Sequence, residues 1–433
     1  MDLIAALLHL ASHTGDLVAT SGWTAAVLDF LRDVETWKLA SIPVVAGVVG
    51  WGTNWAAIRL TFEPVEFRGI RPFLGWQGII PSKAERMASI FVDSTMIKLG
   101  TLPELFQQME PERIAEQIVK VVRPRMRRYT DEILFRENDA IWRATPGPIK
   151  ERIYAQVEAR LPSMVDGLMA DATREIESLV DFKHMIVTRL SEDRALLNRL
   201  FQESGDKEFA FIVRSGLYFG FLFGLVQLAV WILHPAAWVL PVFGIVVGYA
   251  TNWIALNVIF RPLHPTRVGP WVLQGIFLAR QKEVAASWCR LVTTEIVSIR
   301  AIIQAMIHGP HRDASHALIR RHIEPIVDEA VRPFSLPVEI AVGNETLDAI
   351  RQRVGEKSVA VSTTPFDDWH FNRDRSERIE ALLRERMENM EPEEFQGLLR
   401  PCFQEDELKL ILVGAALGFL AGLGQLVFVF GGI

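Results

Sequence analysis

Cysteine is almost missing from this chain: Cys289 and Cys402 are the two among 433 residues. Two thiols make no disulfide framework, so the fold is not a small stapled scaffold. The signatures of common enzyme classes are also missing. No Walker loop, Gly-x-Ser-x-Gly, His-Glu-x-x-His or dinucleotide fingerprint occurs. The expectation is a protein that is not an enzyme and uses no cofactor. There is no basic excess: the formal net charge is −6, which gives no reason to expect a nucleic-acid partner. Charge itself is absent from three long stretches, residues 39–58, 215–260 and 410–433.

Those uncharged stretches are what the chain has instead. A membrane helix needs about 20 apolar residues. The stretch 215–260 is twice that length and carries His234-Pro235 near its middle, so it reads as two helices joined by a tip. The spans predicted are about 39–60, 211–233, 238–260 and 410–431. Charged residues still make up 23% of the chain, which excludes a protein built mainly of spans. The expected fold class is an all-α membrane protein with about four transmembrane helices and two long helical cytoplasmic regions. The expected division is an extension (1–37), a first span (38–62), a polar region (63–208), a hairpin of spans (209–262), a second polar region (263–408) and a last span (409–433). Leu3 to Leu10 suggests a helix lying on the membrane surface. No Lys or Arg precedes it, which disfavours a secretory signal.

The spans contain a repeat. Gly50-Trp-Gly-Thr53-Asn54-Trp55 recurs as Gly248-Tyr-Ala-Thr251-Asn252-Trp253, 198 positions later. Both copies close on Phe-x-Pro, at Phe62 and Pro64 and at Phe260 and Pro262. A second pair obeys the same offset: Gly216, Gly220, Gly224 and Gln227 match Gly414, Gly418, Gly422 and Gln425. Two motifs sharing one offset imply a tandem duplication. Each half crosses the membrane an even number of times, so both halves take the same orientation. Lys and Arg flank the polar regions, for example Arg59, Arg68, Arg261, Arg267 and Lys409, whereas the tip Leu233 to Leu240 has none. The polar regions are therefore expected in the cytoplasm of a bacterial inner-membrane protein.

These residues resemble the bacterial membrane family catalogued as domain of unknown function 445. The carriers are the Thr-Asn-Trp segments ending in Phe-x-Pro and the closing run from Glu391 to Lys409 with its glycine series and Gln425. Glu63 stands where that pattern commonly has a basic residue. The resemblance implies a membrane architecture and no particular activity.

Asparagine at membrane depth needs partners, and hydrogen bonds between helices supply them. Asn54 and Asn252, with Thr53, Trp55, Thr251 and Trp253, are therefore the candidate polar sites. They serve either to lock helix to helix or, facing each other, to bind a polar substrate or ion. Gln227 and Gln425 are expected as partners of the asparagines, and the glycine series as close-packing faces. Arg123, Arg125, Arg127 and Arg128 form a basic cluster, a candidate site for anionic lipid headgroups. His308, His311, His316 and His322 do not share a helical face, so no metal is expected there; the same holds for Asp367, Asp368 and His370.

In the polar regions, apolar residues recur every three or four positions from Ile149 to Phe201, as amphipathic helices require. A break or kink is expected at Pro162. Lys282–Ile307 and Arg312–Val331 read as helix, Ser335–Asn372 as a loop with one short strand, and Arg373–Cys402 as helix broken at Pro392. The apolar faces pack as a core or line a groove for a lipid chain. The function expected is a membrane-anchored helical scaffold contacting membrane lipids, a second copy or a membrane protein partner. The alternative is a transporter or lipid-handling protein.

Overall fold

The computed structural model describes residues 34–70, 74–331, 335–404 and 407–431. The surface helix expected near Leu3 lies outside them. In chain order the main elements are α1 (Val34–Phe62), the strand pair β1 (Arg68–Ile70) and β2 (Leu74–Trp76), α2 (Ala84–Phe91), α3 (Pro111–Val122), α4 (Met126–Ala144), α5 (Gly147–Leu179), α6 (Phe182–Glu192) and α7 (Arg194–Leu233). Then come α8 (Val239–Phe260), the strand pair β3 (Thr266–Val268) and β4 (Trp271–Leu273), α9 (Gln281–Leu291), α10 (Ile299–His308), α11 (Arg312–Val331), α12 (Ser335–Val361), α13 (Trp369–Glu388), α14 (Pro392–Gln404) and α15 (Glu407–Phe428). The chain divides into two compact units. One comprises Met1–Arg59, Lys207–Ile259 and Asp406–Ile433; the other comprises Leu60–Asp206 and Phe260–Glu405.

The first unit is apolar outside and polar inside. Val48 on α1, Leu222 on α7, Val246 on α8 and Leu420 on α15 are exposed, while Thr53, Asn54, Gln227, Thr251, Asn252 and Gln425 are buried. A protein facing water would bury the first set and expose the second. The 22-residue helices α8 and α15 are about 33 Å long at 1.5 Å per residue, enough for a hydrocarbon layer of about 30 Å. Ile42, Trp231, Val239, Leu240 and Leu426 form a cluster at the α7–α8 tip. Trp231 packs there on Phe430 at 4.8 Å.

Among the described residues, five helical stretches are long and apolar enough to cross a membrane. Four correspond to the spans read from sequence. The fifth, Gln281–His308, differs in shape and burial. It is interrupted by a π-helical turn at Val292–Ile296 and by extended backbone at Ser298, whose hydroxyl caps Ala301 N at 3.3 Å. Trp288, Cys289 and Ile302 within it are buried in the second unit. We assign it to that unit's core. The second expected span, 211–233, lies inside a longer helix, because α7 begins at Arg194 and runs unbroken for 40 residues.

Among its described residues the second unit is mainly helical, with two short antiparallel strand pairs. Around α9, helix α13 packs closely and Trp288 meets Phe91 of α2 at 5.3 Å. Elsewhere α5 packs on α3 and α11, and α11 on α12. Ion pairs tie the two sequence stretches of this unit together. Arg375, with a side chain 6% exposed, pairs with Glu110 and Asp374, while Arg378 reaches the other oxygen of Glu110 at 2.8 Å. Arg386 holds Glu104 at 3.0 Å.

Two expectations are corrected here. Ser335–Val361 is helix α12, followed by a 3-10 turn at Thr364–Asp367. Val359 and Val361 looked like strand residues, but Ile350, Val354, Ser358 and Val361 keep helical spacing and line one cavity. Packing of that face overrides the β-branched preference. Pro162 does not break its helix: α5 runs from Gly147 to Leu179 with the proline inside. The loss of one N–H is tolerated where Leu161 and Val165 on either side are buried. The break before α14 lies at Asn389–Glu391, directly ahead of Pro392.

Two stability predictions follow from the ion pairs. Arg375→Ala removes a buried guanidinium with its bonds to Glu110 and Asp374, so it should lower the denaturation midpoint of the full chain more than Arg373→Ala, whose pair with Glu377 is exposed. Equal midpoints would show that the buried cluster contributes nothing. The second concerns acid. A hydrogen bond from Arg386 holds the Glu104 carboxyl down at about 2. Arg375 lowers Glu110 and His322 lowers Asp171 in the same way. A carboxyl lowered in the folded state stabilises above its unfolded pKa, and that stability is lost as pH falls through the folded value. Denaturation midpoints should therefore drop between about pH 4.5 and about pH 2, and Glu104→Gln should flatten part of the drop.

Candidate functional site

Each apolar helix pair of the first unit meets along glycines. On the α1–α7 seam, a Cβ added at Gly216 would lie 2.2 Å from the Gly50 carbonyl oxygen. Gly220 meets Ala46 and Gly224 meets Pro43, so the numbering runs in opposite directions and the helices are antiparallel. On the α8–α15 seam, a Cβ at Gly418 would lie 2.0 Å from the Gly244 oxygen, with Gly414 against Gly248 and Gly422 against Leu240. Only residues without a side chain permit such contact.

The buried asparagines sit in these seams. Asn54 Nδ2 donates to the Ile212 carbonyl at 2.7 Å. Asn252 Nδ2 lies where a Cβ on Gly414 would be, at 2.2 Å. Thus Asn54 faces α7 and Asn252 faces α15. The neighbouring threonines bond back into their own helices, Thr53 to Gly50 O at 3.1 Å and Thr251 to Val247 O at 2.8 Å. Trp55 and Trp253 point outward, 45% and 49% exposed. Trp55 stacks on Trp51 at 6.5 Å, and the Arg59 guanidinium lies over its ring at 5.3 Å. Gln227 is buried. Gln425 donates to Ser41 Oγ at 3.4 Å, so its partner is a serine of α1 rather than an asparagine.

The second unit contains a partly open cavity of about 520 Å³, lined by α3, α4, α5, α10, α11 and α12. Its wall is overwhelmingly apolar, with residues such as Ile133, Val157, Leu168, Met306, Ile326 and Val354. The volume lies within the range of about 300–1,000 Å³ typical of ligand sites. It is several times the roughly 150 Å³ at which an engineered apolar cavity stays dry. Two charged side chains reach the wall, and both are paired outside it. Glu137 accepts from Arg353 Nε at 2.6 Å. Lys357 pairs with Glu132 at 2.5 Å and lies 4.9 Å over the Tyr129 ring. Near one end, Asp131 accepts from Trp142 at 3.0 Å and from Tyr154 at 2.5 Å. Burial, followed by that carboxylate, pushes the Tyr154 hydroxyl up to about 12, so it stays a donor. The chamber suits an uncharged, apolar guest.

The arginine cluster stands beside this chamber with part of its charge already matched. Arg127 pairs with Glu151 at 2.9 Å and Glu158 at 3.4 Å, and Arg128 with Glu132 at 3.7 Å. Arg125 donates to Val121 O at 2.8 Å, while Arg123 is exposed. The histidines diverge: His316 bonds the Ile307 carbonyl at 3.2 Å and His322 bonds Asp171 at 3.0 Å. Among the described residues no group of three metal-ligating side chains converges.

The amphipathic spacing left a packed core and a groove as alternatives, and a cavity is present. Sequence reasoning missed two features. Asn198 Nδ2 donates to Phe62 O at 2.6 Å and Gln396 Nε2 donates to Phe260 O at 2.8 Å, so one amide holds the end of each of α1 and α8. The shared offset of 198 could have revealed that pair. Glu208, 2% exposed, lies within the apolar unit because α7 starts earlier than its uncharged stretch.

No family model matches the chain, and no solved structure matches it. A curated protein of Thermosynechococcus vestitus, UPF0754 membrane protein tlr2287, is 32% identical over 94 residues, which is 21% of this chain and 22% of that protein. The matched stretch thus spans about a fifth of that relative's length. This similarity and the apolar helices identify a membrane protein with a likeness to an uncharacterised membrane family.

The seams carry a prediction. Gly216→Leu and Gly414→Leu overpack a backbone contact, at a cost of about 1–3 kcal/mol; Asn54→Leu should cost about 0.6–2 kcal/mol. Thermal unfolding in detergent should show all three below the parent, with Gly52→Leu, which meets open space, unchanged.

Proposed function

We propose that this chain is a membrane-anchored helical scaffold whose polar unit holds an apolar ligand of the lipid acyl-chain class. The observation carrying this reading is the 520 Å³ apolar chamber. A packed core leaves few voids larger than a water molecule, and here a ring of six helices leaves one large enough for a hydrocarbon chain. The paired charges of Glu137 and Lys357 favour a guest whose buried part is uncharged. The reading involves no catalysis, cofactor or nucleic acid.

The architecture we propose around it is a tandem duplication in the bacterial inner membrane, related to the family resembled by the Thr-Asn-Trp motifs. Support comes from parts that recur together: glycine seams, the amides of Asn198 and Gln396, strand pairs, and π-helical turns at Val92–Met96 and Val292–Ile296. Four crossings put both polar stretches on one side, and the Lys and Arg beside the spans favour the cytoplasm. Glycine faces left toward the lipid would serve a second copy or a membrane partner. The placement of Asn54 and Asn252 in separate seams favours locking over transport.

Native mass spectrometry of the full chain in mild detergent tests the ligand reading. We expect bound lipid surviving delipidation, reduced by one equivalent in Val157→Trp, which fills the chamber. Equal lipid content in parent and variant would refute it.

A further inference from the structure

Each of the spanning helices α1 and α8 is followed by a strand pair with apolar side chains that stand largely uncovered among the described residues. Five residues separate Phe62 from Arg68, and five separate Phe260 from Thr266. A chain extends by at most about 3.6 Å per residue, so each strand pair starts within roughly 20 Å of a helix end. The register sets Arg68 against Trp76 and Ile70 against Leu74 in the first pair, and Thr266 against Leu273 and Arg267 against Val272 in the second. Three-residue strands cannot bury a face of their own, and these do not. Ile70 is 75% exposed, Val272 60%, Leu273 48% and Trp76 39%. Arg68 and Arg267 are exposed beside them.

These surfaces are held firmly. Trp76 Nε1 donates to Leu60 O, in the last turn of α1, at 3.3 Å. Gln77 Nε2 donates to Val65 O at 2.7 Å, and Gly78 N to Pro64 O at 2.9 Å. The second copy repeats the device, with Gln274 Nε2 on Leu263 O at 3.2 Å and Gly275 N on Pro262 O at 2.9 Å. An apolar strand pair with an arginine, tied to its flanking chain and found both times just past a membrane helix, has the composition of the bilayer interface. There aromatic and aliphatic groups enter the acyl boundary, and arginine meets phosphate.

We propose that the strand pairs β1–β2 and β3–β4 are interfacial anchors, lying in the headgroup layer of the bilayer that α1 and α8 cross. They fix the depth and tilt of the two helices, and they bind lipid phosphate through Arg68 and Arg267. This role is independent of any ligand in the chamber.

Spin labels test it. Ile70→Cys and Val272→Cys are made separately in the full chain carrying Cys402→Ser. Cys289 is left in place because it is buried, and burial pushes its thiol pKa up. Each protein is reconstituted into vesicles of phosphatidylcholine and phosphatidylglycerol. Collision with oxygen, which partitions into lipid, is compared with collision with a water-soluble nickel chelate. Labels at Trp369→Cys, exposed in the polar unit, and Leu222→Cys, exposed on α7, set the water and lipid limits. The expected result is a several-fold higher oxygen-to-nickel ratio at both tips than at position 369, lying between the two limits. A ratio equal to that at 369 would overturn the proposal. So would exclusion of both relaxants, which would mean that protein covers the tips. A water-like signal at position 222 would instead refute the membrane crossing itself, and the proposal with it.

Discussion

The membrane unit depends on backbone meeting backbone. Inside a bilayer, burying leucine against leucine gains little over burying it in lipid, so association must come from close contact and hydrogen bonds. Gly50 against Gly216 and Gly244 against Gly418 bring main chains within reach of each other's carbonyls. That proximity lets the Asn54 amide cross to Ile212 O. A bulkier neighbour would separate the helices and leave a polar group unpaired in hydrocarbon. The inverted pattern of the unit, amides inside and Val48, Leu222, Val246 and Leu420 outside, is a consequence of the same solvent.

The second unit is organised by a different balance. Its apolar side chains point inward, so apolar burial drives its assembly. Trp288, Phe91, Phe106 and Phe366 are fully buried. Arg375 and Arg386 tie its two sequence stretches through Glu110 and Glu104. Burial succeeds around α9 and α13 but stops short between α4, α5 and α12. The unfilled volume there is the feature of this unit that packing alone does not require, and it is the reason to look for a ligand.

Much of the architecture was legible because membrane helices write a coarse code. Lack of charge over 20 or more residues, and two motifs sharing one offset, announced four apolar helices and the residues at their seams. Glycine and asparagine in an apolar run have few uses, so Gly216, Gly414, Asn54 and Asn252 were found at once. Gln425 shows the limit of this code: its type was informative, but its partner, Ser41 on another helix, was not. The segment Ser335–Val361 was misread because valine favours strands locally, while the helix is set by neighbours distant in sequence.

The sequence by itself determined which segments are apolar along their length and which motifs recur, since hydropathy and repetition are properties of the chain. Only the tertiary structure decided three things. These are the chamber among α3, α4, α5, α10, α11 and α12, the exposure of Ile70 and Val272, and the capture of Phe62 O and Phe260 O by Asn198 and Gln396. Each depends on the distance between segments more than 100 positions apart, or on what fails to cover a surface. Neither is encoded in local periodicity.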